Sequence, residues 1–244
     1  MDNNTKRFMT LFSGYTKAYG TYNARMLGGS GKQKPMHRKV DSTPSADTVE
    51  NHLNGQRPLG IYLLDDDEMV RFAAIDIDLY PVEYAKISQQ LKEWGLPFVL
   101  CNSKSGGAHA YVFFSEPEDP AHVIVELQKV SAALGYSDAE IFPKQVKRPT
   151  GGYGNFINLP FFGHPKLTYN CWDGDQQLPL ERFLDLAESR LTNLAALSEV
   201  IAQGDLVPRG VSIPPTTNHA ISGRNDFLFR FGCSVQDAVE DQAA

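Results

Sequence analysis

Two aspartates stand two residues apart in the run FAAIDIDLY at 72–80: Asp76 and Asp78, alternating with Ile75, Ile77 and Leu79. That two-residue period is the pattern of a half-buried strand, with apolar side chains on one face and both carboxylates on the other. The carboxylates would lie roughly 7 Å apart along the chain. Aspartate is depleted in strand interiors, and like charges on one face repel. A divalent cation turns that repulsion into coordination, since hard cations take carboxylate oxygens. The plainer alternative is a solvated strand face running out into a turn at Tyr80-Pro81.

The surrounding elements decide what could join the pair. After Pro81 an amphipathic helix is predicted over 82–94, closed by Gly95. A strand, FVLCNSK (98–104), turns at Gly106-Gly107 into HAYVFFS (109–115). Pro120 opens a second helix, AHVIVELQKVSAAL, stopped by Gly135, and a short strand, DAEIFP (138–143), follows. With the strand at 70–79 this is the order β-α-β-β-α-β of a ferredoxin-like palm, an α+β fold. In that fold the strands run 4-1-3-2, so the first lies between the fourth and the third. His109, at the start of the third strand, and Glu140, in the fourth, would then flank the aspartates on one open face. Asp138 shares Glu140's parity but follows Gly135-Tyr136-Ser137 and is expected in the turn.

Three carboxylates on such a platform suit two-metal chemistry, in which two cations activate an attacking hydroxyl and stabilise the leaving oxygens. A triphosphate would need donors nearby. Lys104, Ser105, the glycine-turn amides and His109 are available, as are Lys144, Lys147 and Arg148 after the fourth strand, although these last would equally serve as a solvated exit loop.

The rest of the chain sets bounds. At 244 residues, with 42% hydrophobic and 21% charged side chains, the composition is that of an ordinary globular protein. A formal charge of −6 argues against coating nucleic acid by bulk electrostatics but leaves room for a local basic groove. No apolar run approaches the ~20 residues of a membrane span, and the polar start MDNNTKRFMT is no signal peptide, so a cytoplasmic protein is expected. The three cysteines are far apart in sequence and form neither a zinc motif nor a disulfide framework; partly buried, reduced thiols are expected. A helical stripe (Phe8, Met9, Leu11, Phe12) precedes a stretch, 16–45, without periodicity, read as a mobile basic loop whose Arg25, Lys32, Lys34, Arg38 and Lys39 could contact nucleic acid. Its GGSGK is no phosphate loop, because Met26 and Gln33 occupy positions where that motif needs Gly and Ser or Thr. A short helix, TVENHL, and a strand at 60–64 lead to the acidic turn Asp65–Glu68. Residues 180–203 read as one strongly helical stretch.

FAAIDIDLY, NSKSGGAHAYVFF and AEIFPKQ resemble, in order, the three motifs of the archaeo-eukaryotic primase superfamily, with the primase-polymerases of phages and mobile elements the nearest type. RFMTLFSGYTKAYGTY, HLNGQRPLGIYLL and GNFINLPFFG extend the resemblance over most of residues 5–165. It implies a catalytic domain over 1–178, made of an N-terminal module (1–68) and a palm (69–165). A helical segment (179–206), a linker (207–218) and the start of a helical region (219–244) would follow. It further implies Asp76, Asp78 and Glu140 as catalytic metal ligands for Mg²⁺ or Mn²⁺. Lys104, Ser105, His109, Lys144 and Asn158 would attend the (d)NTP. The partners implied are a single-stranded DNA template or primer-template, with a helicase or further domain in a longer protein. A nucleotidyl cyclase-like palm and an inert single-strand-binding module are the alternatives; the first lacks a carboxylate in the Gly106–His109 hairpin, and the second would not expose aspartates.

Overall fold

The structure, a computed structural model, describes residues 2–22, 37–163 and 170–204. Phe8 and Leu11, three apart, bury one side of the first helix, α1 (Asn3–Leu11), and Phe12 follows at its C-cap. The segment expected to be a loop contains strands: β1 (Tyr19–Tyr22) pairs antiparallel with β2 (His37–Val40). All four β1 residues are buried, so no polar–apolar alternation marks the strand in the sequence. Arg38 and Lys39 therefore sit in a strand rather than a loop; Arg25, Lys32, Lys34, Cys233 and the stretches 207–218 and 219–244 lie outside the described residues. Next comes α2 (Ala46–Leu53), capped reciprocally by Ser45 and Thr48, and then β3 (Gly60–Tyr62).

The predicted palm follows in the predicted order: β4 (Val70–Ile77), α3 (Tyr84–Glu93), β5 (Val99–Asn102), β6 (Ala108–Glu118), α4 (Pro120–Ala133) and β7 (Glu140–Phe142). Asp119 caps α4 through Oδ1, with Pro120 at its first turn. The last elements are β8 (Phe156–Asn158), β9 (Cys171–Asp173), β10 (Gln176–Leu178), α5 (Leu180–Ser189) and α6 (Leu194–Gln203).

Two antiparallel sheets result. The larger runs β10-β9-β5-β6-β4-β7, which contains the 4-1-3-2 palm and extends its β5 edge by the hairpin β9–β10, unmarked in the sequence. The smaller runs β2-β1-β3-β8, so β8 leaves the palm's stretch of sequence to complete the N-terminal sheet. The stretch 180–203 is two helices rather than one. Thr192 exchanges backbone hydrogen bonds with Phe113 and Ser115, Asn193 caps α6 through Oδ1, and Leu191 is exposed instead of joining an apolar stripe. Cys101 and Cys171 are directly opposite on β5 and β9 and fully buried, closer together and deeper than expected; burial and the neighbouring thiol push the Cys101 pKa up.

The carboxylate-bearing face of β4 is not open along its length. Phe72 on that face and Tyr111 and Phe113 on β6 lie under Phe12, whose ring meets theirs edge-on at 5.2–5.3 Å, and Phe183 of α5 stacks behind it. Arg7 fastens α1 to α5 through Asp185 and Glu188, each at 2.7 Å, and these contacts hold its guanidinium firmly protonated. Asp76 lies beyond the rings that Phe12 covers and is partly exposed. The chain divides into two compact units at 208/209, and the second lies outside the described residues. Among the described residues no helix is long and apolar enough to cross a membrane.

His52 joins the N-terminal parts. Its Nδ1 accepts the Leu59 N–H at 3.0 Å and its Nε2 donates to the Pro160 carbonyl at 2.8 Å, in full burial. Desolvation lowers its pKa to about 4. Between that value and the ordinary 6.5 the unfolded chain binds the proton and the folded one does not, so stability falls as pH drops through this window. Unfolding measured from pH 7 to pH 4 is expected to show a loss of about 3 kcal/mol from this group. The loss should be absent in His52→Gln, which is less stable at neutral pH; an unchanged acid slope in that variant would show that His52 is not the titrating group.

Candidate active site

The row of groups around Asp76 follows from strand register. Asp76 on β4 faces His109 of β6 on one side and Glu140 of β7 on the other. Directly opposed residues on antiparallel strands share a face, with Cβ atoms about 5 Å apart. The row continues through Cys101 to Cys171. Asp138 lies in the turn before β7, off the ladder.

Asp78 lies one residue beyond the end of β4 and is exposed. Its Oδ1 accepts from the Tyr80 hydroxyl at 3.2 Å and the Ser105 hydroxyl at 3.5 Å, and Ser105 in turn contacts the Ser103 hydroxyl at 3.0 Å. Gly107 lets the hairpin pass close by: a Cβ there would come within 2.6 Å of Asp78 Oδ1 and 2.7 Å of the Ile77 carbonyl.

His109 is buried, with Nε2 3.2 Å from Asp76 Oδ1 and Nδ1 2.7 Å from the Tyr111 hydroxyl. The Tyr111 oxygen also lies 3.3 Å from the Asn158 carbonyl on β8. If the hydroxyl donates to Nδ1, the neutral ring carries its proton on Nε2 and donates it to Asp76, and both ring nitrogens are satisfied. If it donates to Asn158 instead, a neutral ring would turn a bare Nε2 lone pair on the carboxylate. For a neutral ring only the first arrangement satisfies both nitrogens.

The remaining predicted residues take up several roles. Lys144 is ion-paired with Glu140 and lies 4.8 Å from the Phe142 ring centre. Lys104, half-buried, reaches away from the hairpin to the N-terminal sheet, 4.3 Å from the Tyr22 ring centre and 3.3 Å from His37 Nε2. Desolvation lowers its pKa, and the charges of Asp76 and Asp78 oppose the shift. Desolvation, then Lys104, lowers that of His37. Asn158 faces the same region from β8, and its side-chain Oδ1 is buried with no hydrogen-bond partner. Arg38 and Lys39 alternate in β2, so they occupy opposite faces of the sheet rather than one contact surface. Sequence reasoning does not single out Tyr80, Tyr111 or His37 as site residues. Period-two spacing from His109 is the one signal that points to Tyr111.

Asp76, Asp78 and Glu140 fit a hard divalent cation by donor chemistry, and Asp76 and Glu140 are neighbours in register. Among the described residues no three His, Cys, Asp or Glu side chains are already gathered as a ligand set; Asp76 is engaged by His109 and Glu140 by Lys144.

The tautomer of His109 can be read directly. Long-range ¹H–¹⁵N spectra of the histidine rings are expected to show it protonated at Nε2, with Tyr111→Phe shifting it towards a mixture. A wild-type ring protonated at Nδ1 would mean that His109 donates to Tyr111 and that Tyr111 donates to Asn158.

A family model described as the TOTE conflict system archaeo-eukaryotic primase domain matches residues 4–180. No curated protein matches the chain. Among solved structures it shows a remote likeness to the catalytic domain of primase RepB′ in complex with initiator DNA, at 11% identity and a TM-score of 0.37, covering 82% of this chain and 96% of that one. Primase RepB′ itself is similar at 12% identity and a TM-score of 0.36, over 77% of this chain and 62% of that one. The family match spans both sheets and every residue of the row Glu140–Asp76–His109, and the chain belongs to the archaeo-eukaryotic primase domain family.

Proposed function

We propose that this protein is a template-directed DNA primase or polymerase that transfers a nucleotidyl group from a (d)NTP to a 3′-hydroxyl and releases pyrophosphate. The observation that carries the reading is the row Glu140–Asp76–His109, with Asp78 just past the end of the same strand, in a primase-family palm. Divalent cations, Mg²⁺ or Mn²⁺, supply Lewis-acid activation of the hydroxyl and neutralise charge at the phosphates, and Asp76, Asp78 and Glu140 are the residues that would hold them.

The side chains around them divide the remaining work. His109, whose Nε2–H is held by Asp76 in the free protein, would turn that hydrogen bond to a triphosphate oxygen once a nucleotide is bound. Ser105 and the Gly106-Gly107 amides line the hairpin beside Asp78, while Lys104 adds positive charge from its place against Tyr22 and His37. Lys144 guards the Glu140 carboxylate and is free to turn to phosphate when that carboxylate takes a cation. Tyr80 and Ser105 keep Asp78 oriented although it lies beyond the ladder.

In primer extension with Mg²⁺ or Mn²⁺, Asp76→Asn and Asp78→Asn are each expected to abolish nucleotide addition while thermal melting still shows a folded protein. Activity retained in either variant removes that aspartate from the reaction. Glu140→Gln should lose most turnover and need more Mn²⁺, because an amide is a poorer ligand for a hard cation. Asp138→Asn should leave the metal response unchanged, and a metal response confined to that variant would transfer the ligand role to Asp138.

His109→Ala is expected to weaken apparent nucleotide affinity roughly ten- to hundredfold, the worth of one charge-assisted contact, with template affinity little changed. A loss confined to template affinity would place the histidine on the wrong substrate.

A further inference from the structure

The N-terminal sheet has two unlike faces. Tyr19, Ile61 and Ile157 belong to the hydrophobic core, and Ile61 shares an apolar hollow with Phe8, Phe12 and Val49 of α1 and α2. The opposite parity carries His37 and Lys39 on β2, Gly20 and Tyr22 on β1, Gly60 and Tyr62 on β3, and Phe156 and Asn158 on β8. Gly20 and Gly60 form a floor for the Phe156 ring, which lies where their Cβ atoms would be.

From Phe156 a run of rings extends both ways. His37 is 5.5 Å away on one side; on the other Tyr62 is at 5.5 Å, Tyr153 lies 5.6 Å beyond it, and Tyr15 a further 5.0 Å. Phe156, Tyr153 and Tyr15 are partly buried, Tyr62 is buried and His37 is exposed. Cations accompany the rings: Lys39 Nζ is 4.8 Å from the Tyr153 ring centre, and the Arg148 guanidinium is 4.7 Å from that of Tyr15. Lys39 also pairs with Asp41 at 3.1 Å, but both are exposed, and such pairs are weak enough to exchange for phosphate. The run ends at the catalytic row, where Lys104 touches His37 and Tyr111 reaches the Asn158 carbonyl. The orphaned Oδ1 of Asn158 lies there.

We infer that this face of the N-terminal sheet is the track for the single-stranded nucleic acid, whose bases stack on Phe156 and Tyr153 while its phosphates follow Lys39 and Lys104 towards the catalytic row. Partly exposed rings beside cations suit a single strand, because every base has a π-face and no sequence need be read. The inference rests on the proposed polymerase activity for the identity of the strand as template or primer.

The test is fluorescence anisotropy with two labelled probes, an oligothymidylate and an abasic strand of the same length. The wild type is expected to prefer the oligothymidylate. Tyr153→Ala and Phe156→Ala should each weaken its binding roughly five- to hundredfold, with the abasic strand unaffected and the salt dependence unchanged, since no charge is removed. Phe156→Trp should restore the preference. Lys39→Gln should instead reduce the log–log salt slope by about 0.7 with either probe. Tyr153→Ala keeps the test sound should Phe156→Ala unsettle the sheet. Equal binding of both probes by the wild type, no binding of either, or unaltered oligothymidylate affinity in Tyr153→Ala and Phe156→Ala overturns the inference. If those two variants bind normally while the wild type still extends primers, the track falls and the proposed activity stands; if stacking preference is present and extension absent, the reverse holds.

Discussion

Asp76 is fixed by register on both of its neighbours, and the candidate site depends on that. In an antiparallel sheet a slip of one residue turns every side chain to the other face. A slip of β4 against β6 would bring Ile75 or Ile77 beside His109, and a slip against β7 would do the same beside Glu140. What prevents it is apolar: Ile75, Ile77, Ala73 and Val70 are fully buried, and Phe72 is trapped beneath Phe12. The core thus holds the polar row in line, and the row contributes little to holding the core.

The same packing explains why the site occupies one end of the sheet. Phe12 and Phe183 fill the space over Phe72, Tyr111 and Phe113, so the carboxylate face becomes accessible only where α1 and α5 no longer cover it. Tyr111 stands at that border. Its ring belongs to the aromatic core, while its hydroxyl meets His109 and the Asn158 carbonyl. Together with Lys104 and His37 it ties the chemistry of one sheet to the exposed face of the other.

How much of this the sequence discloses follows from burial. Asp76 and Asp78 are legible because polar and apolar residues alternate around them, and His109 and Glu140 follow once the strand order is known. Asp78 is less regular than its spacing suggests, since the ladder stops at Ile77 and hydroxyls take over its support. β1 is hidden by being buried throughout. β9 and β10, three residues each, are too short for a period to register. The break between α5 and α6 is concealed because Leu191 continues the apolar spacing that Thr192 interrupts with its strand-like hydrogen bonds. Lys104 and Lys144 are legible as cations near the site, but the aromatic ring and the carboxylate that hold them are not. The pairing of Cys101 with Cys171 is invisible from spacing alone.

The route of β8 bears on how the chain acquires this structure. Tyr62 of β3 is paired with Phe156 of β8, and the whole palm is made between them. At roughly 5–20 residues per second, synthesis leaves β3 without its second neighbour for several seconds. The floor of Gly20 and Gly60 waits as long for the ring that covers it. Long-range pairings of this kind are formed late and slowly, because the loop must close before any contact rewards it. The smaller sheet, first in sequence, therefore closes only after β4 to β7 have been made, while β9, β10 and α5 are still to come.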